Sequence, residues 1–113
     1  MSSEISAEEA KKMMESEDVT VVDVRTPSEF EEGHIPGSML VPMDEFTGHL
    51  GKLDGKEPII MVCERGEASR QAAMLLDAYG GVDGDKVYNL REGLREWGGE
   101  LVRDGDEETK NGN

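Results

Sequence analysis

Five residues, Ile59-Ile60-Met61-Val62-Cys63, form the most apolar run of the chain, bounded by Pro58 before it and Glu64-Arg65 after it. A run this short, with no polar position to face water, predicts a strand buried on both faces rather than a helix. That makes it the central strand of a mostly parallel sheet with a layer on each side. Its last residue, Cys63, is the only cysteine of the chain. In such sheets the C-terminal strand ends face the ligand crevice, so the position of Cys63 matters before its chemistry is considered.

The flanking sequence supplies the other elements. Ser6-Ala7-Glu8-Glu9 reads as a capping box opening a helix that ends near Ser16. Val19 to Val24 is β-branched and predicts a strand with Asp23 near its C-terminal end. Thr26-Pro27-Ser28-Glu29 repeats the helix start signal, and Gly33 supplies the stop after about two turns. Pro36-Gly37 predicts a turn, Ser38 to Val41 a short strand, and Met43 to Leu53 a loosely helical stretch broken by Gly48 and Gly51. Ser69 is expected to cap a helix whose apolar positions Ala72, Ala73, Leu75, Leu76 and Tyr79 recur at helical spacing until Gly80-Gly81. Lys86 to Leu90 predicts a further strand, followed by a helix with Leu94 and Trp97 on one face. Strands alternating with helices place the chain in the α/β class.

With 113 residues there is room for one core, expected over residues 1–102, with a polar, aperiodic composition leaving 103–113 as a disordered acidic tail. Leu, Ile, Val and Phe together make up 23 residues, so the core is lean. The formal net charge of −14 opposes nucleic-acid phosphates and anionic lipid surfaces, and no partner of either kind is expected. Such acidity also suits a cytosol rich in salt. The stretch MSSEISAEEAKKMMES has neither a basic flank nor an apolar run, which predicts a soluble, cytoplasmic protein. One cysteine and two histidines, His34 and His49, are too few for a structural zinc site, and neither metal nor cofactor is expected.

A lone cysteine after an apolar strand is commonly a packing residue. The loop that follows Cys63 argues for more: it is short, contains Gly66, and must turn sharply into a helix. Such a loop points successive backbone N–H groups inward as an anion-binding nest, with the positive helix end behind it. A thiolate at Cys63 would be stabilised in that field. Arg65 and Arg70 add positive charge, which Glu64 and Glu67 cancel.

At four places in order the chain resembles the rhodanese family: Asp23-Val24-Arg25 with Glu29-Phe30, Gly33-His34-Ile35-Pro36-Gly37-Ser38, Cys63-x-x-Gly66-x-x-Ser69, and Asn89-Leu90 with Gly93 and Trp97. The resemblance implies a three-layer α/β/α sulfurtransferase domain with a central, mostly parallel sheet of about five strands. It implies that Cys63 takes a sulfane sulfur from a donor such as thiosulfate and passes it on. The loop Glu64, Arg65, Gly66, Glu67, Ala68, Ser69 and Arg70 would bind substrate, its amides forming the cradle, while Asp23 and Arg25 would brace the loop. Because Cys63 stands alone, the acceptor must be external: cyanide, a small thiol, or a cysteine of a protein sulfur carrier. His34 reads as a turn residue, His49 as surface and Trp97 as core. The chain departs from the family pattern at Glu64 and Glu67, where loops that take thiosulfate are often basic, at Ala68, often an arginine, and at Glu92, usually a glycine.

Two other functions compete. A non-catalytic binding module would use the fold only as a surface, but inactive members of the family usually lack the cysteine. A dual-specificity phosphatase or arsenate reductase has a longer loop with arginine sixth after the cysteine; here Ser69 is sixth and Arg70 seventh.

Overall fold

The computed structural model describes residues 1–103; the tail expected over 103–113 lies, past Arg103, outside the described residues. Five parallel strands, β1 (Ser3–Ile5), β2 (Thr20–Asp23), β3 (Met39–Leu40), β4 (Ile59–Val62) and β5 (Val87–Leu90), form one sheet in the order β1-β5-β4-β2-β3. The apolar run is central: every residue of β4 is buried, and Met61 pairs with Val22 on one side and Asn89 on the other.

Side chains alternate across β4 and so feed two cores. Ile59, Met61 and Cys63 pack with Ala72, Ala73 and Leu76 of a helix, α3 (Glu67–Tyr79), and with Phe46 and Leu53. Ile60 and Val62 pack on the opposite face with Ala10 of the first helix, α1 (Ala7–Ser16), and with Ile35, Leu94 and Trp97. Layers on both faces of a parallel sheet make the three-layer α/β/α arrangement. No helix of the described residues is long and apolar enough to cross a membrane.

Both capping boxes form. Ser6 Oγ accepts from the Glu9 amide at 3.1 Å and Glu9 accepts from the Ser6 amide at 2.8 Å. Thr26 and Glu29 make the same exchange ahead of the helix α2 (Pro27–Glu32), with Pro27 in the first turn. Met43–Leu53 is helical as the sequence predicts, with turns of the 3-10 type. The helix expected after β5 is one 3-10 turn, Leu94–Glu96, soon followed by the left-handed Gly98, and its leading amides, Leu94 and Arg95, donate to carbonyls of the cysteine loop. β1 carries no sequence signal of its own: only Ile5 of its three residues is buried, and it exists by pairing with Tyr88, Asn89 and Leu90.

Candidate active site

Cys63 is the first residue past β4 and is 5% exposed. The chain turns back through Gly66, whose φ of +87° lies in the left-handed region, and a Cβ there would overlap the Arg91 carbonyl. Glycine is required twice over at this position. The turn brings the N-terminus of α3 onto the sulfur. Cys63 Sγ accepts from the amides of Gly66 at 3.1 Å and Ser69 at 3.3 Å, and the Ser69 hydroxyl lies 3.2 Å away. Amides of Arg65, Glu67 and Ala68 have no acceptor among the described residues, and these residues line the adjoining cleft. The arrangement is an anion nest with a sulfur at its centre and donors left over for a second anionic atom.

Ser69 does not cap α3. Gly66 holds the N-cap position, and Ser69 is the third residue of the helix, fully buried. Cys63 Sγ takes the amide that an N-cap side chain would otherwise satisfy, and the Ser69 hydroxyl faces inward to Cys63 Sγ and Asn89 Oδ1.

The loop is held from behind by its carbonyls. Leu94 donates to Cys63 O at 2.9 Å, Arg95 to Glu64 O at 3.1 Å, and Asn89 Nδ2 to Gly66 O at 3.0 Å. Gly93 makes the first two possible: its φ is +75°, and a Cβ there would overlap the Glu64 carbonyl. With the carbonyls engaged on the outer side, the amides are left to face the sulfur. Glu92 therefore leaves the turn intact, since Gly93 alone supplies the left-handed residue.

Asp23 and Arg25 form a buried pair. Arg25 Nη2 lies 2.8 Å from Asp23 Oδ2 and donates to Gly33 O at 2.7 Å, while Nε lies 3.0 Å from Asp23 Oδ1. The pair ties the end of β2 to the turn after α2. Its contact with the cysteine loop is an ion pair of 3.9 Å to the exposed Glu64. Arg70 turns away from the cleft to lie 3.4 Å from Glu4 on β1.

The cleft over Cys63 encloses about 580 Å³. Val24, Pro42, Met43 and Ala68 give it apolar walls. Five carboxylates line it, Glu29, Asp44, Glu45, Glu64 and Glu67, against two guanidiniums, Arg25 and Arg65. Arg25 is already committed to Asp23, and Arg65 makes no ion pair among the described residues. His34 is buried and stacked on Phe30 with ring centres 3.7 Å apart, Trp97 is core, and His49 lies 3.5 Å from Glu45 along the same 3-10 helix.

Asn89 is the site residue that sequence reasoning missed. It is 1% exposed, donates to Gly66 O and to Glu4 Oε1 at 2.9 Å, and its Oδ1 lies 2.5 Å from Ser69 Oγ. The signal was present: a primary amide inside an otherwise apolar strand must find partners or be expelled.

Residues 6–100 match the model of the rhodanese-like domain. Thiosulfate sulfurtransferase GlpE of Pseudoalteromonas translucida is 32% identical over 93 residues, which covers 82% of this chain and 86% of that protein. A protein named sulfurtransferase from Allochromatium vinosum is 32% identical over 100 residues, 86% of this chain and 89% of its own length. The crystal structure of a rhodanese-like domain protein from Staphylococcus aureus superposes with a TM-score of 0.80 at 34% identity, covering 92% of this chain and 99% of that one. The chain spans 62% and 51% of the length of two Bacillus subtilis relatives, to which it is 32% and 34% identical.

Proposed function

The chain belongs to the rhodanese-like domain family, and on that footing we propose that it is a sulfurtransferase in which Cys63 carries a sulfane sulfur as a persulfide. The observation that carries this reading is the convergence of the Gly66 and Ser69 amides and the Ser69 hydroxyl on Cys63 Sγ. The Cys63 thiolate attacks the outer sulfur of the donor and forms a new S–S bond. The bond from that sulfur to the donor breaks, and its electron pair leaves with the donor, as sulfite when the donor is thiosulfate. The negative charge now resides on the outer sulfur, where the amides of Arg65, Glu67 and Ala68 are available to it. An external nucleophile, a thiolate or cyanide, then takes the outer sulfur, and the electron pair returns to Cys63. Asp23 and Arg25 act by fixing the end of β2 that floors the cleft, not by touching sulfur.

The lining of the cleft selects the donor. A dianion such as thiosulfate meets five carboxylates and one guanidinium, Arg65, that makes no ion pair among the described residues. A persulfide borne on a protein with a basic face meets complementary charge, and the chain's own partner is of that kind. Thiocyanate production from thiosulfate and cyanide tests the transfer: it should be detectable with the native chain and lost in Cys63→Ser, whose thermal unfolding stays cooperative.

A further inference from the structure

Ser69 has one hydroxyl proton and two claimants for it. Asn89 Nδ2 faces Gly66 O and Glu4 Oε1, both acceptors, so the amide orientation is fixed and Asn89 Oδ1 must face Ser69. An amide oxygen only accepts, and across 2.5 Å the proton between the two oxygens belongs to Ser69. With that proton directed at Asn89 Oδ1, Ser69 Oγ presents a lone pair to Cys63 Sγ at 3.2 Å. This suits a thiol, whose S–H donates to Oγ. It does not suit a thiolate, which needs the hydroxyl turned round to donate, at the cost of leaving the buried Asn89 oxygen without a donor.

We propose that Asn89 is a positioning residue that competes with Cys63 for the Ser69 proton, so that the hydroxyl follows the charge on the sulfur. When Sγ is neutral, as a thiol or as the inner sulfur of a persulfide, the hydroxyl points to Asn89. When Sγ is anionic, as the attacking or the departing thiolate, the hydroxyl turns to sulfur. No covalent bond changes in this rotation; the thiol proton itself is lost to solvent. Glu4 belongs to the device because it fixes the amide orientation, which gives the edge strand β1 a part in the site. The inference rests on reading Cys63 as the nucleophile, but its test requires no sulfur donor or acceptor.

The test is the pH dependence of Cys63 alkylation by iodoacetamide in four proteins: native, Asn89→Leu, Ser69→Ala and the double variant. Removing the competitor frees the hydroxyl for the thiolate. Asn89→Leu should therefore move the profile toward acid by about one pH unit, the worth of one charge-assisted hydrogen bond. In the Ser69→Ala background the acid shift should disappear, and what movement remains there reports the lost Asn89 hold on Gly66 O. An unmoved or alkaline-shifted profile, or an equal shift in both backgrounds, overturns the proposal. If Asn89→Leu does not fold, Asn89→Asp replaces it: a stronger acceptor for the hydroxyl should shift the profile toward alkaline pH more in the native background than in Ser69→Ala, and equal shifts overturn the proposal. Alkylation that behaves as expected in a protein unable to transfer sulfur would separate this inference from the proposed function.

Discussion

The amide of Leu94 donates to the carbonyl of Cys63 at 2.9 Å, so the segment after β5 holds the reactive residue by its backbone. Arg95 does the same for Glu64 at 3.1 Å, and the approach depends on the glycines at 66 and 93. Gly66→Val and Gly93→Val should each lower thiocyanate formation by about 100-fold or more, because each forces a Cβ into a carbonyl and adds left-handed strain. Steady-state assays on folded variants check this. Near-native activity in Gly66→Val would sink the backbone cradle.

Arg25→Met leaves the Asp23 carboxylate buried without its counter-charge, since Asp23 is fully buried and both its oxygens are bound by Arg25. The loss should be roughly 3–5 kcal/mol, the usual cost of breaking a buried pair from one side. Urea unfolding of the variant measures it. A loss under about 1 kcal/mol would mean that the pair behaves as a surface pair.

The sequence displays some of this architecture and hides the rest for a physical reason. β4 and both capping boxes are legible because their signals are local: a run of apolar residues, and a hydroxyl three residues before a glutamate. β1 is hidden because Ser3-Glu4-Ile5 becomes a strand only by pairing with residues about 85 positions away. What depends on β1 is hidden with it. Glu4 draws Arg70 out of the cleft and fixes the Asn89 amide, so neither the loss of a loop cation nor the role of Asn89 is visible along the chain. Ser69 misleads for a related reason, since a serine near a helix start is normally a cap, and here Cys63 Sγ has taken that place.

Glu64→Gln with Glu67→Gln removes two of the five carboxylates of the cleft. The double variant should raise kcat/KM for thiosulfate by about 3- to 10-fold at low ionic strength, with the gain shrinking as salt screens the remaining charge. The native protein should gain from added salt with the same donor. Equal kcat/KM in native and double variant at low salt would remove the electrostatic argument for a basic partner.

Glu29 is held below the ordinary glutamate value of 4.5 by the Thr26 amide and then by its hydroxyl. A carboxylate depressed on folding contributes stability above that ordinary value, and the contribution is lost as pH falls through the lower, folded value. Glu29→Gln keeps the capping geometry without the charge. Its melting temperature should fall less steeply than that of the native chain between about pH 5 and about pH 3, by an amount worth no more than about 0.5 kcal/mol on so exposed a group. Parallel acid limbs in thermal melts would show that the Glu29 charge contributes nothing.

Intact mass after incubation with thiosulfate, and separately with a small-molecule persulfide, tests the central claim most directly. The account predicts one added sulfur on the native chain, removed by cyanide and never acquired by Cys63→Ala. A folded protein whose Cys63 is open to alkylation yet gains no sulfur from either donor would contradict it, and the cleft would then be a binding surface rather than a site of transfer.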